Sequence, residues 1–185
     1  DYLREIENVN FVIDWLNSYQ TAIERIKEGA YHLYFLDYRL GNETGLELLQ
    51  EAAAMQCDCP IVLLTGKGNK AIDIKAMQSG ATDYLVKSEL NTEKLERCIR
   101  YSLDRAESLR ELKARENKYR NLFEGSKDAV FISDNNLVFT ECNHAACVLF
   151  GFGNGELLQG SLFEFLKDKT QKEKLRQLLE KEENA

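Results

Sequence analysis

The chain has 185 residues, room for one large domain or two small ones. Hydrophobic residues make up 44% and charged residues 30%, with one proline and 11 glycines, which excludes a fibrous or low-complexity chain. A net charge of −7 argues against direct nucleic-acid binding, which needs clustered Lys and Arg, and no apolar run approaches the roughly 20 residues that span a bilayer. Five cysteines, Cys57, Cys59, Cys98, Cys142 and Cys147, are too few and too irregular for a disulfide scaffold. Cys57-Asp58-Cys59 offers two thiolates, but nothing nearby in sequence completes a tetrahedral metal site, so reduced loop cysteines are expected. With no secretory signal at its start, the chain is expected to be cytoplasmic.

Residues 1–7 read as the end of a helix, and residues 10–16, rich in branched and aromatic side chains, as a short strand. A helix is predicted over 18–28, with Ala22, Ile23 and Ile26 on one face. Residues 31–37 are apolar almost throughout, as a strand buried on both sides should be. A helix over 44–55 follows, then a second buried strand over 60–65, opened by Pro60 where no ladder donor is lost. A helix over 70–79 stops at Gly80, residues 82–86 form a third short strand, and Thr92 starts a long helix reaching about Phe123. Leu95, Ile99, Leu103, Ala106, Leu109 and Leu112 recur on it at spacings of three and four. Beyond about Asp104 this stripe outruns what the first domain can cover. The surplus is either a solvated helical linker or a short parallel coiled coil between two copies, and its continuation through Tyr119, Leu122 and Phe123 favours the coiled coil.

From about Lys127 the pattern changes. Residues 129–133 and 137–140 read as a hairpin turning at Asp134-Asn135-Asn136. Short helices are expected over 143–150, 155–159 and 162–166, then a charged amphipathic helix over 170–183.

Strands alternating with helices of 10–12 residues mean βαβ units, a parallel sheet with helices on both faces, and function at the carboxyl ends of the strands. Those ends carry Asp37, Thr65 and Lys87. An aspartate that attacks a phosphoryl group needs a cation to neutralise the transferred oxygens and a donor to hold them. Lys87 supplies the first and Thr65 the second, while Gly66 lets the backbone approach.

Leu36-Asp37-Tyr38-Arg39-Leu40 with Gly45, then Leu63-Leu64-Thr65-Gly66, then Gly80-Ala81-Thr82-Asp83-Tyr84-Leu85-Val86-Lys87, resemble a response-regulator receiver domain. The resemblance covers about residues 1–105. It implies a flavodoxin-like doubly wound α/β fold in which Asp37 takes a phosphoryl group from a sensor histidine kinase or phosphotransfer protein. Thr65 would be the switch hydroxyl, Lys87 the phosphate-binding cation, Tyr84 the switch aromatic, and Asp37 with the Arg39 backbone carbonyl would be Mg²⁺ ligands. Ser88 stands where the family usually has proline. The family's acidic pair, which holds Mg²⁺, is absent together with the first strand, and Glu5 and Glu7 sit on the helix that follows that strand instead. The chain is therefore expected to be a fragment.

Residues 119–124, 128–134 and 142–160 resemble the amino-terminal half of a PAS sensor domain, without its three closing strands. Such domains bind haem, flavin or small metabolites, or simply dimerise. His144 opens a short helix rather than sitting where a haem ligand would. Ser161-Leu162-Phe163 stands where the photoactive flavin subgroup has its cysteine, and Cys142 and Cys147 are expected to pack as small hydrophobes. The PAS ligand therefore stays unassigned.

The expected organisation is a receiver over 1–105, a helical linker over 106–124 and a partial α+β PAS fold over 125–185. A homodimer through the linker and PAS region is expected, with no direct nucleic-acid contact and no membrane segment. Any histidine kinase or cyclic-dinucleotide output would lie outside these residues. Two rival readings are a pseudo-receiver used only for protein binding, and a flavodoxin-like enzyme with Asp37 as nucleophile, which would need a lid that the sequence does not offer.

Overall fold

The computed structural model describes residues 2–7, 9–41, 43–66, 70–151, 160–165, 168 and 170–174. The chain divides into two compact units, Asp1–Lys113 and Ala114–Ala185.

The first unit runs α1 (Tyr2–Glu5), α2 (Tyr19–Lys27), β1 (Tyr34–Asp37), β2 (Arg39–Leu40), β3 (Glu43–Thr44), α3 (Gly45–Ala54), β4 (Ile61–Thr65), α4 (Lys70–Gln78), β5 (Asp83–Val86) and α5 (Thr92–Gly125). β1, β4 and β5 form a parallel sheet in that order, with Asp37 opposite Leu64 and Thr65 opposite Val86. Alternation along β1 sends Tyr34 and Leu36 to one face, where Ile23, Ile26, Leu48, Leu49 and Ala52 of α2 and α3 cover them. Phe35 and Leu85 meet Ile6, Leu95 and Ile99 on a separate cluster built from α1 and α5. Helices on both faces make this the doubly wound α/β fold expected from the alternating pattern.

Local chemistry sets the helix boundaries. Ser18 Oγ accepts from Thr21 N–H to start α2. Thr44 and Glu47 form a reciprocal capping box at α3, with Glu47 N–H on Thr44 Oγ1 at 3.3 Å and Thr44 N–H on Glu47 Oε2 at 2.7 Å. Gly80, at φ +98°, turns the chain after α4 as expected.

One element is overturned. Residues 10–16 form no strand; they run irregularly, with Val12 92% and Trp15 89% exposed. Branched side chains favour a pleated, half-buried surface, and here no described strand pairs with them to provide one. The first buried strand starts at Tyr34 rather than at residue 31. Tyr31 instead stacks edge-on against Tyr34, with ring centroids 5.5 Å apart. The short β2–β3 ribbon and a 3₁₀ turn at Lys87–Glu89 were not foreseen.

Within the second unit, β6 (Phe131–Ser133) and β7 (Phe139–Cys142) pair antiparallel, a shift of about two residues from the predicted hairpin. The turn explains the shift: Asp134 Oδ1 accepts from Asn136 N–H and Val138 N–H, both at 2.9 Å, and Leu137 takes φ +60°. α6 (His144–Phe150) and α7 (Leu162–Phe165) follow. The helix expected over 155–159 lies outside the described residues. Of the one expected over 170–183, residues 170–174 are helical and the rest lie outside. Phe139, Cys142 and Ala146 form the core, with Phe131, Phe150 and Leu162 against it.

Asn143 is fully buried and uses every valence of its amide. Oδ1 accepts from Val130 N–H and Ala146 N–H at 3.0 and 2.9 Å; Nδ2 donates to the carbonyls of Phe123 and Asp128 at 3.0 and 2.9 Å. It caps α6 and ties the last turns of α5 to the hairpin. Asn143→Ala leaves these groups unpaired, so a loss of about 3 kcal/mol is expected. Urea unfolding should show it, with hydrogen exchange faster at residues 129–147 and unchanged at β1, β4 and β5.

Candidate functional site

The parallel sheet brings three predicted residues to one edge. Asp37 ends β1, Thr65 ends β4, and Lys87 follows β5. Because β4 lies between the other two strands, Asp37 and Lys87 flank it, and Thr65 sits one residue beyond the partner of Asp37. Lys87 Nζ donates to Asp37 Oδ2 in a close ion pair, and Arg39 N–H donates to Asp37 Oδ1 at 3.2 Å. Both side chains of the pair stay about two-fifths exposed, at 44% for Lys87 and 39% for Asp37, so the carboxylate is held yet reachable.

Thr65 contrasts with them. It is 1% exposed, and its Oγ1 has no hydrogen-bond partner among the described residues. A buried hydroxyl left unpaired costs about 1–3 kcal/mol, so at the mouth of this sheet it marks a place where an acceptor would be welcome.

Gly45 fixes the loop carrying Asp37. Its N–H donates to Tyr38 O at 2.9 Å, and a Cβ there would lie 2.2 Å from the main-chain oxygen of Asp37 and 3.1 Å from Leu63 Cδ1. Only glycine fits without moving Asp37.

Tyr84 is half-buried on β5, packed against the cluster under α2 and α3. It also lines an open groove of about 480 Å³ with Leu90, Lys94, Arg97, Cys98 and Tyr101. Cys98 is buried at the floor of α5, and burial, with Asp83 beside it, pushes its thiol up to about 12, so it is an unreactive packing residue.

Receiver domains generally use Mg²⁺ for phosphorylation. In this chain the two candidate ligands are the Asp37 carboxylate, already engaged by Lys87 and Arg39, and the Arg39 carbonyl. Among the described residues no group of three His, Cys, Asp or Glu side chains could hold a metal ion. Glu5 accepts instead from Thr92 Oγ1 at the start of α5. The described donors do not make up a Mg²⁺ set.

The polar clamps on α5 and the buried Asn143 were not legible in the sequence. Lys113 Nζ pairs with Asp58 Oδ1, and Arg110 reaches the Asp58 carbonyl at 3.5 Å and Cys59 Sγ at 3.8 Å. Spacing on the helix gives no sign of a partner some fifty residues earlier.

Residues 2–100 match the response regulator receiver domain family, and residues 117–185 match the PAS fold. Among curated proteins, the transcriptional regulatory protein QseB of Haemophilus influenzae is 32% identical over 82 residues, 44% of this chain and 37% of that protein. The two-component response regulator PhoP of Pseudomonas aeruginosa is 32% identical over 76 residues, 41% of this chain and 34% of that protein. The chain thus spans little more than a third of these relatives. A crystal structure of a signal receiver domain from Vibrio parahaemolyticus matches with a TM-score of 0.53 and 23% identity, over 60% of this chain and 84% of that one, and shows the shared fold. No helix among the described residues is long and apolar enough to cross a membrane.

Two substitutions at this edge should act in opposite directions. Thr65→Val removes an unpaired buried hydroxyl and keeps the shape, so stability should rise by about 1 kcal/mol in urea unfolding. Gly45→Ala should lower it by about 2 kcal/mol, because main-chain atoms must move.

Proposed function

The chain belongs to the response regulator receiver domain family, and from that membership we propose that Asp37 is the phosphoacceptor of a two-component relay. Its receiver relatives support a role in two-component phosphorelay signalling. The assignment to Asp37 rests on one observation above all: a buried Thr65 hydroxyl, unpaired among the described residues, at the end of the central strand and flanked by Asp37 and Lys87.

In this reading a sensor histidine kinase or phosphotransfer protein delivers the phosphoryl group. Asp37 attacks phosphorus, the P–N bond to the donor histidine breaks, and an acyl phosphate forms. Lys87 exchanges its carboxylate contact for the transferred oxygens and offsets their charge. Thr65 Oγ1 then gains the acceptor it lacks, and Tyr84 follows it inward. Phosphorylation thereby shifts population between two arrangements of the β4–β5 edge and of the groove beside α5.

We assign the receiver to residues 1–105, a helical linker to 106–124 and the PAS module to 125–185. Leu109, Leu112, Tyr119 and Leu122 are exposed on α5, and a second copy covering that stripe would form a homodimer. The cytoplasm suits a phosphoacceptor of this class.

The test is intact-mass spectrometry of the natural-length protein with acetyl phosphate and Mg²⁺, beside Asp37→Asn. One phosphoryl group on the parent and none on the variant is expected. An unmodified parent that still binds its partner kinase would mean a pseudo-receiver acting by protein binding alone.

A further inference from the structure

The second unit holds two thiols that the relay leaves unused. Cys142 is the last residue of β7, Cys147 lies in α6, and their Sγ atoms stand 3.7 Å apart. The main chain between them is held from both sides. Asn143 O accepts from Cys147 N–H at 3.2 Å, and the Asn143 side chain fastens this strand-to-helix corner to Val130 and Ala146. An S–S bond needs about 2.05 Å, so closure asks for a relative movement of less than about 2 Å between sulfurs already facing each other. The pair does pack as small hydrophobes, with Cys142 buried among Phe139 and Ala146 and Cys147 at the margin. Packing alone does not require two sulfurs to face each other.

We propose that Cys142 and Cys147 form a reversible intramolecular disulfide, with a hydroperoxide as oxidant. Cys147 is the partly exposed member and reacts first. Its thiolate attacks one peroxide oxygen: the S–O bond forms, the O–O bond breaks, and the departing hydroxide leaves as water with the thiol's proton. The Cys142 sulfur then attacks the sulfenic sulfur. An S–S bond forms, the S–O bond breaks, and a second water carries away the Cys142 proton. Two thiols lose two electrons and one hydrogen peroxide becomes two waters; a dithiol reductant reverses the change. Burial, together with the hydrogen bond to Cys147, pushes the Cys142 thiol up to about 11, which suits a resolving thiol that stays protonated until its neighbour is oxidised. The bond would stiffen the corner that Asn143 ties to the Phe123 carbonyl at the end of α5.

The experiment treats the whole chain with limiting hydrogen peroxide, quenches by alkylation in denaturant and maps tryptic peptides. No Lys or Arg lies between the two cysteines, so both fall on one peptide. That peptide should be two hydrogens lighter and unalkylated until reduced, and it should close at least about tenfold faster in the folded chain than in urea. Cys142→Ser should accumulate a sulfenic acid on Cys147 that a cyclic 1,3-diketone traps, whereas Cys147→Ser should leave Cys142 unoxidised. The proposal fails if peroxide takes Cys147 to sulfinic acid while Cys142 stays alkylatable. It fails equally if Cys57 and Cys59 take the disulfide instead, or if folding gives no acceleration.

Discussion

The candidate site depends on an ion pair thrown across the end of a middle strand. In the order β1–β4–β5, the outer strands are about 10 Å apart at ordinary strand spacing. A side chain at the end of one reaches the other only if it is long, and of the three residues at this edge only Lys87 is long enough. Lys87 bridges from β5 to Asp37 on β1, and the end of β4, with Thr65, lies between them. Parallel strands make this possible, since all three present their carboxyl ends on the same side. The rest of the unit serves that edge: the capping box of Thr44 and Glu47 starts α3 at Gly45, and Gly45 packs directly on the Asp37 carbonyl.

The pair is not a source of stability. Both partners keep more than a third of their surface in water, where such contacts are worth little. Thr65 behind them is a buried hydroxyl without a partner among the described residues, in a strand that would accept valine. A site that lowers stability while surrounded by a dense core of Leu36, Leu48, Leu49 and Leu63 is the pattern expected where function and packing compete. In the proposed relay, exchange of the Lys87–Asp37 contact for a phosphoryl group would give the Thr65 hydroxyl an acceptor.

Much of this was legible in the sequence, and the reasons differ by element. β4 was readable because Ile61, Val62 and Leu63 are almost wholly buried and form a continuous apolar run. That Asp37, Thr65 and Lys87 share one edge was readable because βαβ alternation aligns the carboxyl ends of the strands. Residues 10–16 misled because Val12, Ile13 and Trp15 have strand-like side chains, while a strand exists only with a partner, and that is a fact about other residues. The same limit hid Asn143. One Asn before a short helix signals a cap, yet its bonds to Phe123 and Asp128 depend on how α5 ends and where the hairpin lies. Asp58 with Lys113 was hidden in the same way, both charges being ordinary surface residues in sequence.

The manner in which α5 is held has its own consequence for signalling. Its first turns are buried: Leu95, Cys98, Ile99, Ser102 and Ala106 face the first unit. After Ala106 the apolar anchoring ends, and the contacts become polar clamps, Lys113 to Asp58 in the first unit, then Tyr119 to Glu141 at 3.0 Å and Phe123 O to Asn143 in the second. The exposed Lys113–Asp58 and Tyr119–Glu141 clamps contribute up to about 1 kcal/mol each, so a small change in α5 can redistribute them. The deeply anchored end adjoins Tyr84 and its groove, and the far end is gripped by a buried amide that gives up four bonds if it lets go. In the proposed relay, the exposed Leu109 and Leu112 face is the part of α5 that a change at Asp37 would reposition.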